Sequence, residues 1–179
     1  MTIVIIGLPG SGKTFFAKHL AKAIKCVHIS SDELRSIKHK RGIYGEQTKL
    51  EIYNLMLTLM ELAINYRQDT ILDATFYKEN IRKLFCEKAG ELNSPFYFIE
   101  IKAEDATIKE RLSKTRPDSE ADYSTYLKLK SQFEPVQQNH LTLYSDRQSI
   151  DEMLNVALTY IHVTNGESGV KYISQKHHL

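Results

Sequence analysis

The sequence predicts an α/β fold in which a parallel sheet carries helices on both faces. Three observations lead there. Five short apolar runs recur along the 179 residues, and segments of helical periodicity fill the intervals. The first run opens straight into a glycine-rich turn, GLPGSGKT at 7–14, which leads into a breaker-free helical stretch, FFAKHLAKAI. Strand, glycine turn and helix in that order form the opening βα unit of such a sheet. Hydrophobic residues make up 42% of the chain, enough for a core, and no repeat or low-complexity linker divides it. One domain over 1–162 is therefore expected, followed by a tail at 163–179.

Each element has its own reason. The first strand, 3–6, lies in the β-branched run MTIVII, and helical spacing follows over 12–24. CVHI at 26–29 reads as the second strand and 32–38 as a short helix. The long helix at 46–67 contains the longest apolar segment, Ile52 to Ile64. Asn54, Thr58 and Glu61 interrupt that segment, which excludes a membrane span. TILD at 70–73 is the third strand and 78–90 a helix; FYFIEI at 96–101 is the fourth strand. Helices at 104–115 and 122–133 precede the fifth strand, LTLY at 141–144, and a last helix spans 149–162. Parallel strands joined this way imply right-handed crossovers. Beyond His162 the periodicity fades, so the lysines and histidines there either solvate a loose tail or touch an anionic partner.

Composition narrows the setting. A net charge of +2 and an isoelectric point near 8.4 neither require nor exclude a nucleic-acid partner. Cys26 and Cys86 are far apart with no C-x-x-C pattern, so both are expected to be reduced, core-facing thiols. With an apolar start too short for a signal peptide, this points to the cytoplasm.

The turn at 7–14 matches the phosphate-binding loop G-x-x-x-x-G-K-[ST] at every fixed position. Gly7, Pro9, Gly10, Ser11 and Gly12 supply the loop backbone, and the helix beginning near Gly12 adds its positive end. Lys13 is placed to reach the β- and γ-phosphates of ATP and Thr14 to set a hydroxyl on Mg²⁺. Asp32 and Arg35, three apart in HISSDELR, share a helix face just beyond a strand's carboxyl end. A carboxylate there can take a proton from an attacking hydroxyl, and an arginine one turn on can clamp an anion. Helix capping by Ser30 and Glu33 explains the same residues structurally.

Asp73 ends a β-branched strand, where phosphate-loop proteins place an acid that helps hold Mg²⁺. Capping of the next helix by Asp73 or Thr75 is the structural alternative. Ala74 follows in place of a second carboxylate, so the water-activating glutamate of many ATPases is missing there. Arg111 and Arg116 close a helix before Pro117, which lets 111–135 act as a flap bringing arginine over the γ-phosphate. A solvated, charge-mixed helix fits that spacing too. Arg82 is a weaker anion-binding candidate.

These motifs, GLPGSGKT, SDELR, ILDATF with Arg82 downstream, ERLSKTR and FEP, resemble the phosphate-loop kinases of the polynucleotide 5′-hydroxyl kinase type, with the zeta-toxin kinases as more distant relatives. The resemblance implies an AAA-type ATP-binding kinase domain in three layers with strand order 2-3-1-4-5. It implies ATP and Mg²⁺ as cofactors, Asp32 as general base, Arg35 and Arg82 on the acceptor side, and Arg111 and Arg116 on the donor phosphates. The acceptor it implies is a hydroxyl on a nucleic-acid 5′ end, a nucleoside, a sugar nucleotide or a metabolite. The alternative is an ATPase or switch with no acceptor but water. Within that class, the GTPase motifs D-x-x-G and N-K-x-D and the transporter signature LSGGQ are absent.

Overall fold

The computed structural model describes residues 1–38, 45–114 and 122–166. Strands β1 (Thr2–Ile6), β2 (Val27–Ser30), β3 (Thr70–Asp73), β4 (Phe96–Lys102) and β5 (His140–Tyr144) form one parallel sheet in the order β2-β3-β1-β4-β5. Fold class and strand order are those expected. Helices α1 (Lys13–Ile24), α2 (Ser31–Ile37), α3 (Glu46–Asn65), α4 (Glu79–Glu91), α5 (Asp105–Leu112) and α6 (Tyr123–Gln132) connect the strands, and α7 (Ile150–Gly166) follows β5.

The period of two in β1 divides the core. Ile3 and Ile5 face one side with Phe16, Leu20, Met153 and Ala157, so α1 and α7 cover that face. Val4 and Ile6 face the other with Ile52, Met56, Met60 and Phe85, from α3 and α4. Both faces of the sheet are therefore buried, and the strands read as continuous apolar runs rather than alternating ones.

Two helix ends differ most from expectation. α5 stops at Leu112 instead of 115, and the hydroxyl of Ser113 turns back to donate to the carbonyl of Glu110 at 2.7 Å. Such a bond competes with helix continuation. α7 runs past 162 to Gly166, because Val163, Thr164 and Asn165 contain no breaker. Residues 167–179 of the expected tail, and 115–121 of the expected flap with Arg116, lie outside the described residues.

Register sets the working edge. Asp73 pairs with both Ser30 and Ile5. The carboxyl ends of β2, β3 and β1 thus lie level, with the glycine loop rising from the last of them.

Candidate active site

The glycine loop closes by two left-handed residues, Gly10 at φ 85° and Gly12 at φ 91°. A side chain is strained at either position. A Cβ on Gly10 would also collide with Ile108 at 2.9 Å, and one on Gly12 would crowd Ser145 at 3.2 Å. The loop is therefore gripped from behind by α5 and by the turn after β5. Arg111 on α5 donates to Ser145 Oγ at 2.7 Å and to the carbonyl of Gly10 at 3.3 Å. Ser145 Oγ in turn donates to the carbonyl of Ser11 at 2.6 Å.

On the other side of the loop a narrow cavity of about 40 Å³ brings Lys13 together with Asp32 and Arg35, and Pro9 and Thr75 also line it. Asp32 accepts from Arg35 at 2.9 Å, as their spacing on α2 predicts. Ser30 occupies the N-cap of α2 but its side chain makes no capping bond. The side-chain capping bond is therefore absent, while Asp32 and Glu33 both stand in the first turn of α2, where the helix dipole favours acid.

Asp73 is likewise not a cap, since α4 begins after Lys78. Its carboxylate is 1% exposed, and neither oxygen accepts a hydrogen bond among the described residues. Its neighbour is His28, whose Nε2 lies 3.5 Å from Oδ2. An ionised carboxylate buried without donors is costly, and a cation is the ordinary remedy. The position suits a cation, and Thr14 lines a neighbouring depression with Lys18, Ser30 and Asp32. No cluster of three acidic, histidine or cysteine ligands exists among the described residues.

Arg82 departs from expectation. It is fully buried, and its fork donates to the carbonyls of Phe76 at 2.8 Å, Glu134 at 3.0 Å and Pro135 at 2.8 Å. Both terminal nitrogens of the guanidinium are engaged by main chain, and the side chain does not line the cavity that holds Asp32. Its neighbour Tyr53 receives the N–H of Phe76 at 3.0 Å. Burial pushes the Tyr53 phenol well above its ordinary range, so the oxygen stays neutral.

Sequence reasoning missed three contributors. Lys49 lines the cavity from α3, with Nζ donating to Glu46 at 2.9 Å and to Tyr77 Oη at 3.0 Å. Its signal was present: it shares the buried stripe of α3 with Ile52, Tyr53 and Met56, where a lysine is out of place. Tyr77, the second aromatic after ILDAT, presents its hydroxyl to Lys49. Ser145 follows the carboxyl end of β5, a position where open α/β sheets gather ligand contacts.

A family model described as an AAA domain matches residues 2–136, and the chain belongs to that family of phosphate-loop proteins. Solved kinases share the fold. A sugar kinase from Janibacter sp. superposes with a TM-score of 0.73 at 19% identity over 92% of this chain and 96% of that one. A gluconokinase from Sinorhizobium meliloti gives 0.70 at 15% identity, covering 93% and 94%. The APS kinase of Mycobacterium tuberculosis, in complex with AMPPNP and APS, gives 0.70 at 16% identity, covering 90% and 96%. A sequence comparison with curated proteins finds no match. No described helix is long and apolar enough to cross a membrane.

Proposed function

We propose that the chain is an ATP- and Mg²⁺-dependent kinase that transfers the γ-phosphoryl group to a hydroxyl acceptor. The observation that carries this is the single cavity in which the loop lysine, Lys13, meets the carboxylate of Asp32. A donor site and a proton acceptor then face one small volume, which is what in-line transfer needs. Asp32 takes the hydroxyl proton as the acceptor oxygen bonds to the γ-phosphorus. The bond from that phosphorus to the β–γ bridging oxygen breaks and ADP leaves. Lys13 stabilises the charge that develops on the phosphates, and Arg35 orients the acceptor. Mg²⁺, when bound, neutralises charge on the β- and γ-phosphates, and Thr14 and Asp73 are the residues to hold it. Arg111 fixes the back of the glycine loop, and Arg116 is assigned the remaining donor-side charge. Resemblance to polynucleotide kinases makes a nucleic-acid 5′-hydroxyl one acceptor to test. The kinase neighbours in the fold make small metabolites another.

The test is transfer of label from γ-labelled ATP·Mg²⁺ to a panel of acceptors that includes a 5′-hydroxyl oligonucleotide, with Asp32→Ala alongside. Label on an acceptor that disappears in the variant is the expected result. Label released only as free phosphate, equally in both proteins, would favour an ATPase without an acceptor.

A further inference from the structure

We propose that the cavity takes a small acceptor bearing an anionic group, a carboxylate or a phosphate monoester, and that Lys49 reads that group. The proposal rests on the kinase reading above and adds the chemical class of the acceptor.

Lys49 is 8% exposed, on the core-facing stripe of α3. Its ammonium lies 4.7 Å from the centre of the Tyr77 ring and donates to that residue's hydroxyl. Burial disfavours its charge, but the bonds to Glu46 and Tyr77 outweigh this and its pKa lies above the usual lysine value. The group is a cation at neutral pH. Its carboxylate partner Glu46 has a side chain 80% exposed in the first turn of α3. Such a half-solvated pair contributes little and exchanges easily. A structural role alone leaves unexplained why a lysine occupies an apolar stripe at the wall of the cavity.

Charge in the cavity is also lopsided. Lys13, Arg35 and Lys49 line it against one carboxylate, Asp32. Lys13 belongs to the nucleotide, and Arg35 and Asp32 bond to each other at 2.9 Å. Lys49 thus adds a second positive group beside Arg35 on the acceptor side, and its own carboxylate partner, Glu46, is 80% exposed. The cavity is also narrow, about 40 Å³. Tyr53 of α3 and Thr125 and Leu129 of α6 form further walls.

The experiment uses the full chain and two readouts. Calorimetric titration measures binding of a six-carbon aldonate, an aldose phosphate and the neutral aldose. Labelled-ATP transfer measures KM and kcat for the same probes. Wild-type protein is expected to prefer at least one anionic probe over the neutral one. In Lys49→Met that preference collapses by about 10- to 100-fold, the scale of a lost charge-assisted hydrogen bond, and KM for the anion rises more than kcat falls. Lys49→Arg restores most of it. Lys49→Gln, which keeps length and polarity, carries the same test if the methionine variant does not fold. Equal binding of charged and neutral probes by the wild type, no binding of either anion, or an anion preference that survives loss of Lys49 would overturn the proposal. A Lys49-dependent preference without phosphoryl transfer would support this anion site and sink the kinase reading. Transfer that ignores Lys49 would do the reverse.

Discussion

Arg82 donates to the carbonyl of Phe76 at 2.8 Å, and Phe76 sits in the left-handed region at φ 47°. A non-glycine residue there costs roughly 1–2 kcal/mol. The backbone of Phe76 is clamped on both sides, its oxygen by Arg82 and its N–H by the Tyr53 hydroxyl. The flanking residues Thr75 and Tyr77 are thereby aimed into the cavity. Arg82→Met, which removes three bonds to main-chain oxygens, is expected to cost about 3 kcal/mol or more of stability, read from urea unfolding midpoints. A variant of normal stability with weakened anion binding would return Arg82 to a ligand role.

The relay from Arg111 through Ser145 to the carbonyl of Ser11 makes a second prediction. Ser145→Ala removes the hydroxyl that joins α5 to the glycine loop. ATP affinity should fall about three- to tenfold, near the worth of one hydrogen bond, as read by titration of the nucleotide. Unchanged affinity would mean that the loop holds its shape without support from the turn after β5.

The fold was legible because its signals are local. The β-branched runs of β1 and β3, the glycine loop and the helical spacings each specify an element without reference to the rest of the chain. Pairing of Asp32 with Arg35 was legible for the same reason, since three residues on a helix fix their neighbourhood. What eluded the sequence depends on long-range contact. Arg82 looked like a surface anion binder because nothing nearby announces the carbonyls of Glu134 and Pro135, more than fifty residues away, that absorb its fork. Lys49 was hidden by the prior that lysines on helices face water. Only its phase relative to Ile52 and Met56 marks it as buried.

Lys13 and Arg35 line the same cavity but serve different partners. Lys13 acts on charge that grows in the transition state, so Lys13→Ala should lower kcat by about 10³-fold, in the range of other electrostatic stabilisers. Arg35→Ala should act mainly through KM for the acceptor, with a loss nearer tenfold. Steady-state kinetics with both substrates varied separate the two; similar losses in kcat would contradict this division of labour.

Cysteine chemistry offers a pH-dependent test. Burial, reinforced by the Asp69 carboxylate, pushes the Cys26 thiol up to about 11, and burial also raises Cys86. Both are free thiols. Alkylation of the native protein at pH 8 should be slow relative to the unfolded chain, because little thiolate is present. The folded state holds the Cys26 proton more tightly than the unfolded state does. Its contribution to stability is therefore complete below pH 9 and declines as pH rises toward 11. Rapid labelling at pH 8 without unfolding would contradict the burial of these thiols.

Asp73 couples stability to function in opposite directions. Its buried carboxylate has no hydrogen-bond donor among the described residues, and a carboxamide carries no charge to desolvate. Asp73→Asn should therefore raise stability without Mg²⁺, by about 1 kcal/mol, seen as a higher unfolding temperature. The same change should abolish the extra stabilisation that ATP together with Mg²⁺ gives the wild type, while stabilisation by ATP with chelator persists. Loss of stability in the variant would show that the carboxylate is held by the protein itself, and an intact Mg²⁺ effect would remove Asp73 from the metal site.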